Sequence, residues 1–244
     1  GTNYWPTESS AARQSRWAKY SLYKDYHDTI LKGLKKAASI LEASFGFSSI
    51  DYRYYVDTGP FLERGWAAAS GMGWQGKNGM LISKKHGNWL LLSAIIVRRR
   101  IERDPPLKKR LADQANHLEL GAHCGKCDRC ISACPTDAIV EPGIVDSRKC
   151  ISYHTIENKG VIPRWIRPGI GQMIFGCDIC LDVCPWNRFA NSGRQLLLES
   201  SYGIPDLTLL DILNMKADYF RDIFRKSPIK RLKLKGLLRN ACVV

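Results

Sequence analysis

The chain has 244 residues, of which 45% are hydrophobic and 25% charged, and its formal net charge is +14. This length allows one large or two modest domains with a buried core, and no apolar run approaches the roughly 20 residues that a membrane-spanning helix needs. The composition argues against a helical membrane protein, and the charge favours a polyanionic partner such as nucleic acid.

The first part of the chain alternates between helical and strand patterns. Apolar residues recur at helical spacing over residues 25–45, and Gly46 follows as a stop. Residues 50–56 are aromatic and β-branched, which predicts a strand. Pro60 then predicts the first turn of a second helix, which ends near Ala69.

A glycine-rich loop over residues 71–79 is followed by two predicted strands, residues 80–83 and 89–97, joined by a hairpin turn. The loop is not a Walker loop, because no Ser or Thr follows Lys77. It is either a plain turn or a place where the backbone approaches a bulky ligand closely. The charged residues 98–109 are predicted to form a linker.

Eight of the nine cysteines form a ferredoxin-like pattern. The first run is Cys-x2-Cys-x2-Cys-x3-Cys-Pro, the second is Cys-x2-Cys-x3-Cys-Pro, and a single cysteine lies between them. In bacterial ferredoxins the fourth cysteine of such a run binds the other cluster. We therefore predict two [4Fe-4S] clusters with crossed ligands. One would be held by Cys124, Cys127, Cys130 and Cys184, and the other by Cys134, Cys150, Cys177 and Cys180.

Structural zinc and disulfides are the alternatives for these cysteines. A zinc ion takes four ligands, which does not explain why three closely spaced cysteines are followed by a fourth in a Cys-Pro pair. Disulfides are typical of small secreted domains. Thiolates on iron favour a reducing compartment, so we expect a cytoplasmic protein that moves electrons. The ninth cysteine, Cys242, is predicted to be a small buried apolar residue.

The last part of the chain is basic and is predicted to form helices over residues 207–215, 216–225 and 232–244. Between Lys216 and Arg239 there are nine Lys and Arg residues against two acids. Such a cluster can simply belong to helix faces that are exposed to solvent. Together with the net charge, the cluster favours nucleic acid, which it would contact through phosphates.

Asp57 follows the predicted strand and precedes the predicted helix. It is either the cap of that helix or a functional carboxylic acid at the end of a strand, where ligands often bind in α/β layers. The sequence by itself favours the cap.

Together these segments resemble epoxyqueuosine reductase, a cobalamin- and iron–sulfur-dependent tRNA-modifying enzyme. The matching segments are residues 24–27, 56–64, 71–78, 148–153 and 174–180, together with the eight cluster cysteines. The resemblance implies that the chain is a fragment, truncated before Gly1 and after Val244.

The resemblance implies an α+β fold in three parts. Residues 1–110 would be part of a mixed α/β cobalamin-binding domain, similar to nitroreductases and reductive dehalogenases. Residues 111–190 would form a ferredoxin-like domain with two [4Fe-4S] clusters. Residues 191–244 would be a basic helical segment that starts a helical-repeat tRNA-binding region.

The activity implied is the reductive deoxygenation of epoxyqueuosine to queuosine at the wobble position of tRNA with a GUN anticodon. Two electrons from an external low-potential donor would pass through the clusters to cobalamin, and we expect a monomer with no membrane partner. Carried over residue by residue, Asp57 is the proton donor. The residues that match cobalamin contacts are Asp57, Leu81, Leu92, Ser152 and Asp178. Those assigned to the tRNA surface are Arg64, Glu157, Asn158, Lys230, Arg231, Lys233 and Lys235.

Two other functions stay open at this point. A corrinoid iron–sulfur enzyme of the reductive dehalogenase kind would share the cofactors. Its small haloorganic substrates would not explain a net charge of +14. A ferredoxin-like electron carrier would share the clusters, but it does not need the mixed α/β region that precedes them.

Overall fold

The computed structural model describes residues 2–3, 17–100, 120–190, 204 and 206–244. Helices and short strands alternate along these residues, as the sequence predicts. The strands are β1 (Thr2–Asn3), β2 (Tyr52–Tyr55), β3 (Trp74–Gln75), β4 (Leu81–Ile82), β5 (Leu90–Leu91), β6 (Ala94–Val97), β7 (Ile139–Glu141) and β8 (Ile144–Val145). The α-helices are α1 (Tyr26–Phe45), α2 (Glu63–Ala69), α3 (Arg129–Ser132), α4 (Arg167–Ile170), α5 (Ile179–Asp182), α6 (Leu209–Leu213), α7 (Ala217–Ile223) and α8 (Lys233–Ala241).

Helix α1 confirms the prediction for residues 25–45 almost to the residue. The Asp25 side chain accepts a hydrogen bond from the His27 backbone N–H at 3.0 Å and so caps the helix. Gly46 ends it in the left-handed conformation, with φ of 62°. Its apolar face, which includes Ile30 and Leu34, packs on Val56 beyond β2.

The strand predictions need correction because pairing occurs between distant parts of the chain. The predicted strand over residues 89–97 is two strands: β5 pairs with β1, and β6 pairs with β2. The predicted hairpin is reduced to a single bridge between Ser83 and Gly87, because β4 pairs instead with β3. Strand β3 lies inside the glycine-rich loop. A Cβ at Gly73 would overlap the carbonyl oxygen of Ile82, so this close approach requires glycine.

The second helix starts later than predicted. Helix α2 begins at Glu63, so Pro60 is not in its first turn, and Asp57 does not cap it. The end near Ala69 is confirmed. The linker predicted for residues 98–109 lies mostly outside the described residues.

The main apolar core draws on all three predicted domains. It joins Trp17 and Leu22 near the start of the chain to Phe175 in the cysteine-rich part and to Phe224 and Leu237 in the last part. The domain boundaries stay a prediction. Among the described residues no helix is both long enough and apolar enough to cross a membrane.

The last part of the chain is helical, as predicted, but in shorter pieces. Helices α6 and α7 are followed by a 3-10 turn, Pro228–Leu232, and then by α8. The prediction for Cys242 was wrong: the residue is exposed, because α8 ends at Ala241 and buries Leu237 and Ala241 instead.

Candidate iron–sulfur and catalytic site

The first predicted set of cluster cysteines bounds one cavity. Cys124, Cys127, Cys130 and Cys184 line it, together with Asn78, Ile82 and Trp186. Helices α3 and α5, which contain Cys130 and Cys180, pack against each other. This packing brings the end of the second run, Cys184, beside the first run.

The electrostatic neighbours of Cys184 and Cys177 follow the two predicted sets, whereas Cys180 of the second set also interacts with Cys130 of the first. Burial raises the pKa of the Cys184 thiol to about 11, and Cys124, Cys130 and Cys127 add to this shift. Burial likewise raises the pKa of Cys177 to about 12, with smaller contributions from Asp178, Cys150 and Cys134.

Thiols with raised pKa values must lose their protons when they bind iron, so cluster assembly would release protons. Within the described residues, no group of three or more His, Cys, Asp or Glu side chains is arranged to hold a single metal ion. Four thiols around a cavity suit a group that binds each of them at a different corner. The assignment of ligands stays a prediction.

A buried polar network from α8 supports the second set. Asn240 is 1% exposed and donates from Nδ2 to the carbonyls of Thr155 at 2.8 Å and Ile174 at 2.7 Å. The Thr155 hydroxyl accepts a hydrogen bond from the Gly176 N–H at 2.9 Å, next to Cys177. This network fixes the two segments that carry Cys150 and Cys177.

Asp57 lies at the end of β2 with its carboxyl group half exposed. Its φ is 58°, which is uncommon for a residue other than glycine. Its Oδ2 accepts a hydrogen bond from the Tyr26 hydroxyl at 2.6 Å. Burial and then this bond raise the pKa of Tyr26 well above its usual value, so Tyr26 stays protonated and donates. The geometry favours the functional interpretation of Asp57 over the helix cap.

His27 lies on another side of the same carboxyl group. Its Nε2 is buried, 4.0 Å from Asp57 Oδ2, and has no hydrogen-bond partner among the described residues. Its Nδ1 lies 2.7 Å from Asp25 Oδ1, and its ring stacks on Tyr26. Burial opposes ionisation of Asp25, but the hydrogen bonds from His27 outweigh it and lower the pKa of this carboxyl. An unpartnered buried nitrogen beside an accessible carboxyl group is suited to a ligand.

Asp178 connects the second cysteine set to this region. It is 8% exposed, and its Oδ2 accepts a hydrogen bond from the Lys19 backbone N–H at 2.6 Å. Burial raises its pKa to about 6, against the opposing effect of Lys19. Tyr20, whose pKa burial also raises, interacts electrostatically with both Asp178 and Asp57. Its ring packs against Tyr26, with centroids 5.8 Å apart, and against the apolar cluster of Trp89 and Leu181, which Cys180 also contacts. Tyr20 therefore connects the second cysteine set to the residue that hydrogen-bonds Asp57.

The other residues assigned to cobalamin are not members of this hydrogen-bond network. Leu81 is 3% exposed and packs with Ala67 and Ala68 of α2, with Leu92 at the edge of the same cluster. Ser152 immediately precedes a π-helical turn, Tyr153–Glu157. The described contacts do not join Leu81 to Asp178, so a shared ligand between them stays a prediction.

Several residues assigned to tRNA have partners inside the protein. Arg64 donates to the Gly79 carbonyl at 2.7 Å and so holds the glycine-rich loop. Glu157 pairs with Arg231 at 2.7 Å. The Asn158 side chain accepts from the Gly160 N–H at 2.8 Å. These contacts give the three assigned residues Arg64, Glu157 and Asn158 structural roles beside any contact with RNA.

Arg239, counted in the basic cluster, also has a structural role. It donates to the carbonyls of His154 and Gly160, each at 2.9 Å, and to that of Asn158. Burial lowers the pKa of its guanidinium group. Arg239 therefore holds the segment after Cys150 and is not a free surface cation.

A basic groove lies beside the start of α1. It encloses about 450 Å³ and is lined by Asp25, Asp28, Arg225, Lys226, Ser227, Lys230 and Arg231. The Asp25 N–H donates to the Lys226 carbonyl at 2.6 Å, which joins the groove to the His27 network. Of the basic residues assigned to tRNA, Lys230 and Arg231 line this groove, whereas Lys233 and Lys235 are exposed on α8 outside it.

Sequence reasoning missed the roles of Tyr26, Tyr20 and Lys19. Tyr26 fits the apolar face of α1, so its hydroxyl bond to a residue 31 positions away had no local signal. Lys19 acts through its backbone on a residue 159 positions away. From the residues alone this stretch is predicted only as the start of a helix, and the match of residues 24–27 to the resembled family is what pointed to a function.

Comparisons with known proteins agree with this geometry. Residues 123–187 match a family described as a 4Fe-4S double cluster binding domain. Residues 1–58 match the family described as epoxyqueuosine reductase QueG, DUF1730.

Two curated relatives are both named epoxyqueuosine reductase. The protein from Cellulophaga algicola is 38% identical over 98% of this chain and 73% of its own length. The protein from Synechocystis sp. is 39% identical over 99% of this chain and 80% of its own length.

A solved structure of epoxyqueuosine reductase with a tRNA-Tyr epoxyqueuosine-modified stem loop superposes with a TM-score of 0.78 at 25% identity. The match covers 99% of this chain but 61% of that protein, so the chain spans less than two thirds of the solved relative. The level of identity and the nearly complete coverage of this sequence in the curated relatives settle its family. The chain belongs to the epoxyqueuosine reductase family.

Proposed function

We propose that this chain carries out the reductive deoxygenation of epoxyqueuosine in tRNA. The observation that carries the proposal is the placement of an accessible carboxyl group, Asp57, beside Tyr26 and His27, with Tyr20 packed against both Tyr26 and the apolar cluster of Trp89 and Leu181, which Cys180 also contacts. Family membership and the solved relative with a modified stem loop support the same reaction.

The residues that would hold the cofactors follow from the two cysteine sets and the network around Asp57. Bound clusters would supply electrons one at a time, and cobalamin would supply a reduced cobalt that engages the epoxide. Around that cofactor we assign Asp57, Leu81, Leu92, Ser152 and Asp178. The unpartnered Nε2 of His27 and the half-exposed Asp57 carboxyl group support a ligand at this place.

Asp57 is the proton donor in this proposal. Opening an epoxide to an alkene takes two electrons and two protons and releases water, and the departing oxygen needs a proton as its bond to carbon breaks. The Tyr26 hydroxyl, 2.6 Å from Asp57 Oδ2, orients the carboxyl group, and Oδ1 would then give the proton to the reactant. His27, held by Asp25 through Nδ1, is placed to return a proton to Asp57 after turnover.

The basic groove would bind the anticodon stem and loop of a tRNA with a GUN anticodon. The basic residues that line it are Arg225, Lys226, Lys230 and Arg231. Asp25, which caps α1 next to His27, also lines it. Phosphates bound there would lie close to the Asp57 network, and the modified base would be extruded towards it. Phosphate contacts of this kind give affinity without reading the base sequence.

An external low-potential electron donor completes the proposed reaction. The test is a turnover assay of anaerobically prepared protein, loaded with iron, sulfide and cobalamin, on tRNA that carries epoxyqueuosine. We expect queuosine as the product, and we expect Asp57→Asn to retain iron and cobalamin but to lose about 10²–10⁴-fold in rate. Asp51→Asn is the matched control, because Asp51 lies just before the same strand and pairs with Arg99 on the surface.

Two results would contradict the proposal. If the fully loaded wild-type protein made no queuosine, the activity would be wrong. If Asp57→Asn deoxygenated the tRNA at the wild-type rate in a single turnover, the assigned proton donor would be wrong.

A further inference from the structure

A second groove lies beside the first cysteine set. It encloses about 850 Å³ and is formed by two segments of the chain, each of which contributes one arginine, Arg129 or Arg188. The residues between the arginines include Ala133, Val183, Cys184 and Pro185, and we call them the apolar floor. The groove is separate from the basic groove beside α1, because the two share no lining residue.

The groove has a rigid wall. Asn187 is 6% exposed, and its Nδ2 donates to the Leu181 carbonyl at 2.6 Å. Its Oδ1 accepts a hydrogen bond from the Asn88 N–H at 3.1 Å. These bonds tie the segment after Cys184 to both α5 and the strand region, so the groove is preformed.

The groove adjoins the first cysteine set. Cys184 and Pro185 line both the groove and the cavity that this set bounds. The second set adjoins the buried Asp178, and Cys180 packs against the same apolar cluster as Tyr20, which contacts Tyr26. Electrons from a partner bound in the groove would therefore reach the first set most directly.

The charge at this surface is positive. Arg129 and Arg188 are exposed, and neither forms an ion pair with any residue that the structure describes. The single acid in the lining, Asp182, is paired with Lys19. Uncompensated arginines around an apolar floor attract and orient an acidic partner, and such steering raises association rates by about 10–10³-fold.

We propose that this groove is the docking site for the electron donor, and that the donor is a small acidic protein with a low-potential redox group at its surface. The inference rests on the proposed function, because the proposed reaction consumes electrons that a donor must supply. Each encounter oxidises the donor by one electron and reduces the protein by one. Two encounters supply the two electrons that one epoxide consumes, together with two protons from the protein and solvent.

We expect the encounter to be brief. Electron-transfer complexes bury less than about 1,200 Å² and dissociate rapidly. Their association depends on ionic strength, because charges beyond about 10 Å are screened at 0.1 M salt. The docking should therefore weaken steeply as salt is added.

The test uses the cluster-loaded protein without tRNA and a reduced acidic flavodoxin as the probe. One readout is the dissociation constant of the complex at low salt, and the other is the stopped-flow rate at which the flavodoxin reduces the clusters. The variant is Arg129→Glu/Arg188→Glu. The matched control is Arg164→Glu, an exposed arginine in the cysteine-rich part that does not line the groove. Reduction by dithionite, which needs no docking, reports whether the clusters are intact.

We expect the double variant to bind flavodoxin at least about tenfold more weakly and to be reduced at least about tenfold more slowly. Dithionite should reduce it at the wild-type rate, and the difference between variant and wild type should shrink at high salt. Equal affinity and rate in the double variant and the wild type would overturn the proposal, as would an equal loss in Arg164→Glu. Because no tRNA is present, this outcome is independent of whether deoxygenation occurs.

Discussion

Replacing Tyr26 by Phe removes a single hydroxyl group whose one described hydrogen bond goes to Asp57. The Tyr26 ring is 7% exposed and packs within the apolar cluster of α1, so Phe fills the same space. The perturbation therefore acts on the orientation of the Asp57 carboxyl group and leaves the packing intact. Asp57 depends on this bond because its own backbone conformation is uncommon and its side chain is half exposed.

The magnitude follows from the 2.6 Å hydrogen bond between the Tyr26 hydroxyl and Asp57 Oδ2, whose acceptor becomes charged as Asp57 gives up its proton. Hydrogen bonds to charged groups are worth about 1.5–3 kcal/mol. If that energy orients the carboxyl group for proton transfer, its loss slows the reaction by about ten- to hundredfold, at about 1.36 kcal/mol for each factor of ten. Binding of tRNA should not change, since Tyr26 does not line the basic groove.

The assay is a single turnover on epoxyqueuosine-containing tRNA under chemical reduction, followed by mass spectrometry of the nucleosides. The affinity for tRNA and the thermal unfolding curve are measured in parallel. Tyr54→Phe is the matched control, because Tyr54 packs at the edge of the same cluster and its hydroxyl has no hydrogen bond within the described residues. A slow Tyr26→Phe with normal tRNA affinity and stability supports the assigned role. Wild-type turnover by Tyr26→Phe would refute the reasoning.

Three further outcomes are expected. Asn240→Ala leaves two buried carbonyls unpaired and should destabilise the protein by about 2–4 kcal/mol in urea unfolding, whereas the exposed Asn214→Ala should cost at most about 0.5 kcal/mol. The lowered pKa of Asp25 means that its charge stabilises the fold above its unfolded pKa. The stability advantage of the wild type over Asp25→Asn should therefore be present at neutral pH and vanish as pH falls through the folded pKa; an advantage that persists in acid would exclude this origin. Lys230→Ala should lower the slope of log affinity for tRNA against log salt by about 1, and Lys36→Ala, on the far part of α1, should not.

The fold could be predicted where the signals are local. Helix α1 is fixed by its apolar spacing, its Asp25 cap and its Gly46 stop, all of which lie within the segment itself. Strand pairing could not be predicted, because β6 pairs with β2 about forty residues earlier along the chain. The apolar run over residues 89–97 does not show where one strand ends and the next begins.

The candidate site divides in the same way. Binding of [4Fe-4S] clusters could be predicted because the cysteine spacing within each run is short and is peculiar to clusters, and the family match over residues 123–187 supports it. Which cysteines share a cluster stays a prediction. The network around Asp57 could not be predicted, since Tyr26 and His27 reach Asp57 only through the tertiary fold. Charge counts also misled at one position: Arg239 belongs to the basic run but binds three backbone carbonyls inside the protein.

The central claim is that eight thiolates hold two clusters in crossed sets, and iron analysis of two double variants tests it most directly. The wild-type protein, prepared without oxygen, should hold about eight irons, and Cys130→Ser/Cys184→Ser should hold about four, since both residues then serve one cluster. Cys130→Ser/Cys134→Ser should hold almost none, because it removes a ligand from each cluster. The reverse pattern, with about four irons in Cys130→Ser/Cys134→Ser and almost none in Cys130→Ser/Cys184→Ser, would contradict the account.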